Sequence, residues 1–550
     1  MKTTSGFILP MTDAGRKMLR GLKSDVGLQG GSKERRRWTV LDTFDWRLLS
    51  ANCVLLRDGK ICELHRCAGD ELIASVPLQG AKKNLAAVDF PQGTLRDKVS
   101  GPVSIRAVMP RAEFIREVES YRIENHDGKT VVRLELETLL RPVVRQKPLP
   151  FQRLVRVVAL KGYEGDAKDV SLKIAGLGLQ AHTDTRHYAF AALEASGVTP
   201  FDYASKIKLQ FAPELSARDA CTEILQASLD QMQINVSGML ADVDSEFLHD
   251  FRVSLRRTRS LLQLVKGVYA EDKVLRFKQE LGDVMKRTNR LRDLDVYLLE
   301  QNKYAKLLPE GLRPGLAFFF ADLAKERNAV FKKFARDFQT ATVKNKLKAW
   351  ERFVRTEARQ HCVDCPDGDR PVKELANRLL LKRFKRIIKD GRRITNETPD
   401  YAVHDLRIQF KKFRYLLEFF RSLYDSDELE FLIKRSRKIQ NVLGSFNDVC
   451  VQQDTISEYL STINLKRPEA VQLCAALGAL VAELERKRHA ERKKFKAAFN
   501  TLDESRVLAV ADHLFHPLVT DEGANPPFEP AAEKTPKPKP RKRALKKSAT

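Results

Sequence analysis

HDFRVSLRRTR, residues His249 to Arg259, returns as HDLRIQFKKFR, residues His404 to Arg414, 155 positions later. The same offset carries Arg252 onto Arg407, Arg256 onto Lys411 and Arg259 onto Arg414. It also sets Leu291-Arg292-Asp293 against Phe446-Asn447-Asp448. One offset shared by two separated motifs marks a duplicated unit. Neither stretch holds Pro or Gly, and the apolar residues recur at helical rather than alternating spacing. With histidine at zero on a wheel of about 100° per residue, Phe251, Leu255 and Leu262 fall near 200°, 240° and 220°. Leu406, Phe410, Phe413 and Leu417 span about 180° to 240°, the width of a core stripe. Positions three, seven and ten after the histidine fall at about 300°, 340° and 280°. They hold Arg252, Arg256 and Arg259 in one copy, and Arg407, Lys411 and Arg414 in the other. Each helix should therefore carry a cationic strip, headed by His249 or His404, beside its core-facing stripe.

A solvated helix face also carries charge, with arginine stems covering apolar surface. Such faces usually mix signs to gain pairs one turn apart. No acid interrupts either strip between the histidine and the last arginine, and the pattern recurs while many neighbouring residues differ. A polyanion site is the expectation. Asp293 and Asp448 either orient a basic side chain or the histidine, or act as buried salt-bridge partners that fix helix register; the structural role is preferred. One carboxylate and one distant histidine per repeat make an incomplete ligand set, so no metal is implied.

His249-Asp250-x-Arg252-x3-Arg256-Arg257-x-Arg259, followed by Leu291-Arg-Asp-Leu-Asp-Val296, resembles the CHAD family, the conserved histidine α-helical domain. His404-Asp-Leu-Arg407 with Lys411, Lys412 and Arg414, then Leu443-Gly444-x-Phe446-Asn447-Asp448, is similar to that domain's second half. The resemblance runs from about residue 217 to about residue 500. It implies two pseudo-symmetric four-helix bundles around a basic channel that binds inorganic polyphosphate. The matched residues are His249, Arg252, Arg256, Arg257 and Arg259, with His404, Arg407, Lys411, Lys412 and Arg414. AVFKKFARDF (329–338) and AERKKFKAAF (490–499) agree at an offset of 161, which a six-residue insertion in an intervening loop would produce.

Residues 1–205 have a β-rich texture, in RRRWTVLD, CVLLRDGKICELHR, PVSIRAVM, ESYRIENHDGKTVVRLELETLL and RLVRVVALKGYE. Asp127-Gly128 between alternating segments signals a hairpin. In RLELE, Arg133, Glu135 and Glu137 face one side, and Leu134 and Leu136 the other. A tunnel-lining face and an ordinary solvated face both fit. Asp42-Thr-Phe-Asp-Trp-Arg-Leu48 and Leu160-Lys-Gly-Tyr163 resemble segments of CYTH domains, which have the triphosphate-tunnel fold. That family holds divalent ions with an alternating Glu-x-Glu-x-Lys on its first strand. Here Ser5-Gly-Phe-Ile-Leu-Pro10 has no acid. Phosphoryl transfer needs carboxylates that hold the metal, so the domain is expected to be degenerate and not an enzyme. A divalent metal enters only if Glu135 and Glu137 substitute for the missing pair.

The expected class is α+β in two domains: an antiparallel barrel or tunnel-like domain at 1–205 and an all-α domain at 215–515. The helical repeats fall at about 217–345 and 370–500, and a disordered basic tail at 521–550. Net charge is +26 and the isoelectric point about 9.7, which calls for an acidic polymer or surface as partner. Eight cations and no acid lie between Lys534 and Lys547, so nucleic acid is a second candidate partner through the tail. Single-strand binders interleave aromatics with cations for stacking. Only Tyr415 borders the strips, and its counterpart is Ser260. A third alternative is a metal-dependent triphosphate hydrolase in the first domain. Eight irregularly placed cysteines give no disulfide framework, and His361-Cys362-x-x-Cys365 is a lone pair in a joining loop. Reduced thiols and a cytoplasmic location, with association to polyphosphate granules open, are expected. No signal-length or membrane-length apolar run is found. No cofactor is expected. Protonation of His249 and His404 would add charge, so tighter binding is expected below about pH 6.5.

Overall fold

The computed structural model describes residues 4–516 apart from 26–27, 69–70, 79, 81, 182–187, 205–206 and 396. The basic tail lies outside the described residues. Two regions of different texture follow each other, as expected: an antiparallel sheet, then helices.

The sheet has nine strands: β1 (Thr4–Ile8), β2 (Gln29–Thr43), β3 (Cys53–Arg57), β4 (Ile61–Arg66), β5 (Leu72–Pro77), β6 (Val108–Glu124), β7 (Thr130–Arg141), β8 (Leu149–Ala159) and β9 (Gln180–Ala181). Their order is β5-β4-β3-β2-β6-β7-β8-β1-β9, so β5 and β9 are its edges among the described residues. The long central strands β2, β6, β7 and β8 pair in continuous antiparallel register. The hairpin sits where Asp127-Gly128 signalled it. Asn125 Oδ1 accepts from the amides of Asp127 and Lys129, and Gly128 takes the positive φ of 72° that the turn requires. The run PVSIRAVM is different: Pro102 and Val103 end a helix (Thr94–Val103), and the strand begins only at Val108.

One sheet face buries Val132, Leu134, Leu136, Val155 and Val157 under the helix Glu164–Gly176. The alternation in RLELE then forces Arg133, Glu135 and Glu137 onto the opposite face. The register places Glu135 opposite Arg156, and Arg156 opposite Gly6 of β1.

Ten longer helices, with a short one (Gln301–Leu307) after the third, carry the second region among the described residues. They are α1 (Ala217–Leu240), α2 (Ser245–Leu264), α3 (Glu271–Leu299), α4 (Arg313–Phe338), α5 (Ala341–Arg352), α6 (Val372–Arg392), α7 (Asp400–Phe419), α8 (Ser426–Leu460), α9 (Ala470–Asn500) and α10 (Ser505–Leu514). The starts of α1, α2 and α3 are repeated in α6, α7 and α8 at the offset of 155 that the motifs share. In the first half a short helix, Gln301–Leu307, follows α3 (29 residues), whereas in the second half α8 runs 35 residues without a break. The stripes read from the wheel are buried, with Phe251, Leu255, Leu262, Leu406, Phe410, Phe413 and Leu417 in one core shared by both halves. A second core joins the C-terminal ends of α3 and α8 to the N-terminal ends of α4 and α9, through Leu294, Phe319, Ile456 and Leu477.

The two regions are locked together at Arg106, which is 2% exposed. It pairs with Asp250 at 2.6 Å, Asp244 at 3.3 Å and Asp45 at 3.6 Å. Asp244 also caps α2 and accepts from the Ala107 amide at 2.9 Å. Tyr203 donates to Asp250 at 2.8 Å, and Asn235 donates to Tyr203 at 3.1 Å. Asp250, second residue of the repeated motif, thus serves domain docking; its counterpart Asp405 is exposed.

Candidate functional site

α2 and α7 lie against each other, and this contact brings the two cationic strips together. Arg256 and Lys411 occupy the same place in their repeats. Arg256 acts electrostatically on His249, Arg252 and Arg292 of its own half, and on Arg407 and Lys411 of the other. The strips therefore come together around Arg256 and Lys411.

Crowding and partial burial are written into these groups. Burial, then Arg407 and Arg256, pull the Lys411 ammonium down to about 8. Burial is also the main cause that brings Arg252 down to about 10, with Arg256 and Arg292 adding repulsion. Arg407 moves the same way, through burial and then the neighbouring Arg256 and Arg414, against the pull of Asp448. Burial first, and the like charge of neighbours second, disfavour the charged forms of these groups, and an anion among them would offset both.

Hydrogen bonds hold the strips in place. Arg252 donates to Asn289 Oδ1 at 2.9 Å, to Thr288 Oγ1 and to the Met285 carbonyl at 3.4 Å. Arg407 pairs with Asp448 at 3.3 Å, and Asp293 is the carboxylate that acts on Arg252. Each aspartate thus acts on the first cation of its strip, three places after the histidine, Asp448 as an ion pair and Asp293 through its charge. Neither is a buried register pin, since both are exposed. That part is played by Asp295, 4% exposed and bonded to Arg327 at 2.9 Å. The sequence showed an acid at both positions, and only packing tells which is covered.

The histidines differ. His404 is exposed, with Nδ1 at 2.6 Å from Asn447 Oδ1. His249 is half-buried, and Arg292 stands where Asn447 stands in the other half. Burial, then Arg292 and Arg256, push His249 down to about 4, against the nearby Asp250 carboxylate. The expectation of tighter binding below about pH 6.5 through His249 is thereby corrected: in the free protein it is neutral there. Arg292, with Glu246 at 3.8 Å, is a groove cation that sequence reasoning passed over. Its alignment with Asn447 was the available signal.

Two residues carried over by resemblance stand apart from the strips. Arg257 pairs with Glu418 at 3.4 Å, and Glu418 also meets Arg414 at 3.4 Å. Burial, then the charges of Arg383, Arg386 and Lys278, hold Lys412 below its ordinary value. Arg259 lies over Gly282 of α3, with its Nε buried and without a hydrogen-bond partner. Tyr415, expected at the strip's edge, is 5% exposed and stacked on Phe419, so it offers no base a platform.

In the sheet domain Glu137 is buried and bonded to Arg116 and, at 3.2 Å, to Arg156. Gly6 and Ile8 face the same side from β1 and supply no acid. A glutamate held by two guanidiniums does not fit as a dication ligand. Among the described residues no group of three His, Cys, Asp or Glu forms a metal cluster. Cys362 and Cys365 are joined as a disulfide in the loop between the halves, which corrects the reduced-thiol expectation for this pair. Among the described residues no helix is long and apolar enough to cross a membrane.

Residues 223–457, which contain both strips, match the CHAD domain family, and this stretch is a CHAD domain. Among solved structures the chain is similar to the CHAD domain from the plant Ricinus communis, with 22% identity, 53% of this chain and 94% of that one covered, and a TM-score of 0.45. PptA from Streptomyces chartreusis gives 16% identity over 52% of this chain and 99% of that one, with a TM-score of 0.41. A proposed adenylyl cyclase of Hippeastrum, HpAC1, described by a dominant triphosphatase activity, gives 11% identity over 37% of this chain and 100% of that one, with a TM-score of 0.25. No curated protein matches.

Proposed function

We propose that the chain binds inorganic polyphosphate in the groove where the strips of α2 and α7 merge. The observation that carries this is the coming together of Arg256 and Lys411 from α2 and α7, with Arg252, Arg292, Arg407 and Arg414 beside them. Polyphosphate offers repeated charge and no bases. A ligand of that kind calls for cations and forked donors, in which arginine excels, and has no use for aromatic platforms. The CHAD resemblance implies the same ligand. The sheet domain is read as a degenerate phosphate-binding module, because Glu137 is committed to Arg116 and Arg156. We place this function in the cytoplasm, within reach of polyphosphate granules.

The test is competition between polyphosphate and single- and double-stranded nucleic acid for the full-length protein across a salt series. Polyphosphate should win, and Arg252→Ala with Arg407→Ala should abolish its advantage while leaving binding through the tail. Equal or better nucleic-acid binding, indifferent to the double substitution, would mean that the strips are scaffold.

A further inference from the structure

A groove of about 670 Å³ runs between α6 and α10, and no residue of the cationic strips lines it. Leu381, Phe384 and Ile388 of α6, spaced to share one helix face, make its floor with Leu508 of α10. Lys385, Lys389, Arg392 and, just past the end of α6, Arg393 stand along the same wall, against one lining acid, Asp512. All four cations are exposed. Arg392 is engaged by Asp503 at 2.7 Å, and the side chains of Lys385, Lys389 and Arg393 have no ion-pair partner among the described residues.

The first half holds the same groove in reduced form. At the offset of 161, Leu508, Ala509 and Asp512 correspond to Leu347, Lys348 and Glu351 of α5; at 155, Phe384 and Ile388 correspond to Leu229 and Gln233 of α1. Those five residues line a cavity of about 220 Å³ between α1 and α5. The places of the four cations are taken there by Asp230, Ile234, Ser237 and Gly238, none of them basic. Both halves therefore share the packing that makes the groove, but the wide groove with a cationic wall belongs to the second half. An apolar floor beside unpaired cations is complementary to a segment that carries apolar and acidic side chains together.

The chain itself supplies such a segment. α10 runs antiparallel to α6, since Arg392 pairs with Asp503 ahead of α10 and Asn377 donates to the His516 carbonyl behind it at 2.6 Å. The described chain thus ends about one helical turn from Leu381, where the groove begins. From Leu381 to Arg393 the helix rises about 18 Å, a span that about six extended residues cover. Residues 517–533, outside the described residues, contain Leu518, Val519 and Phe528 and four acids, Asp521, Glu522, Glu529 and Glu533. They contain no lysine or arginine, in a chain of net charge +26. Pro517, which cannot continue the hydrogen bonding of α10, stands where the chain has to turn back. We infer that the segment beginning at Pro517 docks in the α6–α10 groove of its own chain. Leu518 and Val519 lie on the floor beside Leu381 and Phe384, and Asp521 and Glu522 meet Lys389, Arg392 and Arg393. This docking anchors to the helical body the basic run that begins at Lys534, and it is independent of the polyphosphate reading.

The experiment is hydrogen exchange, read by mass spectrometry, on the full-length protein and on a free synthetic peptide of residues 516–533. The amides of Leu518 to Glu522 should exchange on the order of tenfold more slowly in the protein than in the peptide. Lys389→Glu with Arg393→Glu should remove that protection while the melting temperature holds, and adding Asp521→Lys with Glu522→Lys should restore it. Exchange at the free-peptide rate in wild type would overturn the docking and leave the groove to an acidic segment of another protein. Protection indifferent to the charge reversals would overturn it as well. Protection that grows with protein concentration would put the segment in the groove of a second copy and defeat the intrachain assignment. If the reversal on α6 prevents folding, Asp521→Lys with Glu522→Lys alone, beyond α10, carries the same comparison.

Discussion

At the scale of the residue, His249 and Arg292 set the pH behaviour of the groove. The folded-state value of His249 lies near 4, below the ordinary 6.5, so between these pH values the unfolded chain binds a proton that the folded one refuses. This part of the stability is present above about pH 6.5 and is lost as pH falls toward 4. Urea denaturation at pH 7 and pH 5 should therefore show a smaller acid loss for His249→Gln than for wild type; equal losses would sink the assignment. Arg292→Asn copies the other half and removes a repelling cation. NMR titration of the His249 ring in that variant should give a higher midpoint than in wild type. The alignment of Arg292 with Asn447 was legible in the sequence, but its effect on His249 was not, because electrostatic coupling depends on burial.

The elements owe their arrangement to close approaches that charge patterns do not show. Gly238 of α1 meets Phe247 of α2, and a Cβ built on Gly238 would stand 2.3 Å from the ring. Gly238→Ala should cost about 1–3 kcal/mol through overpacking, read as a lowered urea midpoint with unchanged slope. The strips make a separate prediction for α2 and α7. An anion that fills a crowded cationic groove stabilises the folded state by mass action, by about 2.7 kcal/mol at a hundred times its dissociation constant. Polyphosphate should raise the melting temperature of wild type, and Arg252→Ala with Arg407→Ala should erase most of that rise. Helix type, core stripe and cationic strip were all legible from periodicity. That Arg257 and Lys412 stand off the strip was legible as well, since eight places after the histidine falls at about 80°, on the opposite side of the wheel; which neighbours they meet there was not.

For the whole molecule, Arg106 couples the sheet to the helices. Removing it leaves Asp244 and Asp250 without their cation at the interface, and breaking a buried pair in this way typically costs about 3–5 kcal/mol. Arg106→Ala should lower the denaturation midpoint accordingly; a change within about 0.5 kcal/mol, the scale of a surface substitution, would show that the latch is incidental. Nothing around Arg106 in the sequence announced this, since its partners lie 138 and 144 positions away.

By itself the sequence determined the two-part α+β layout, the duplicated helical unit, the buried stripes and a cationic strip on each copy, because local periodicity and a shared offset encode them. Tertiary structure alone decided that the strips merge at Arg256 and Lys411, that Asp295 and not Asp293 is the buried salt-bridge partner, and that His249 and His404 have different surroundings. Those outcomes depend on which distant side chains share a low-dielectric space, and that is a property of packing and not of spacing along the chain.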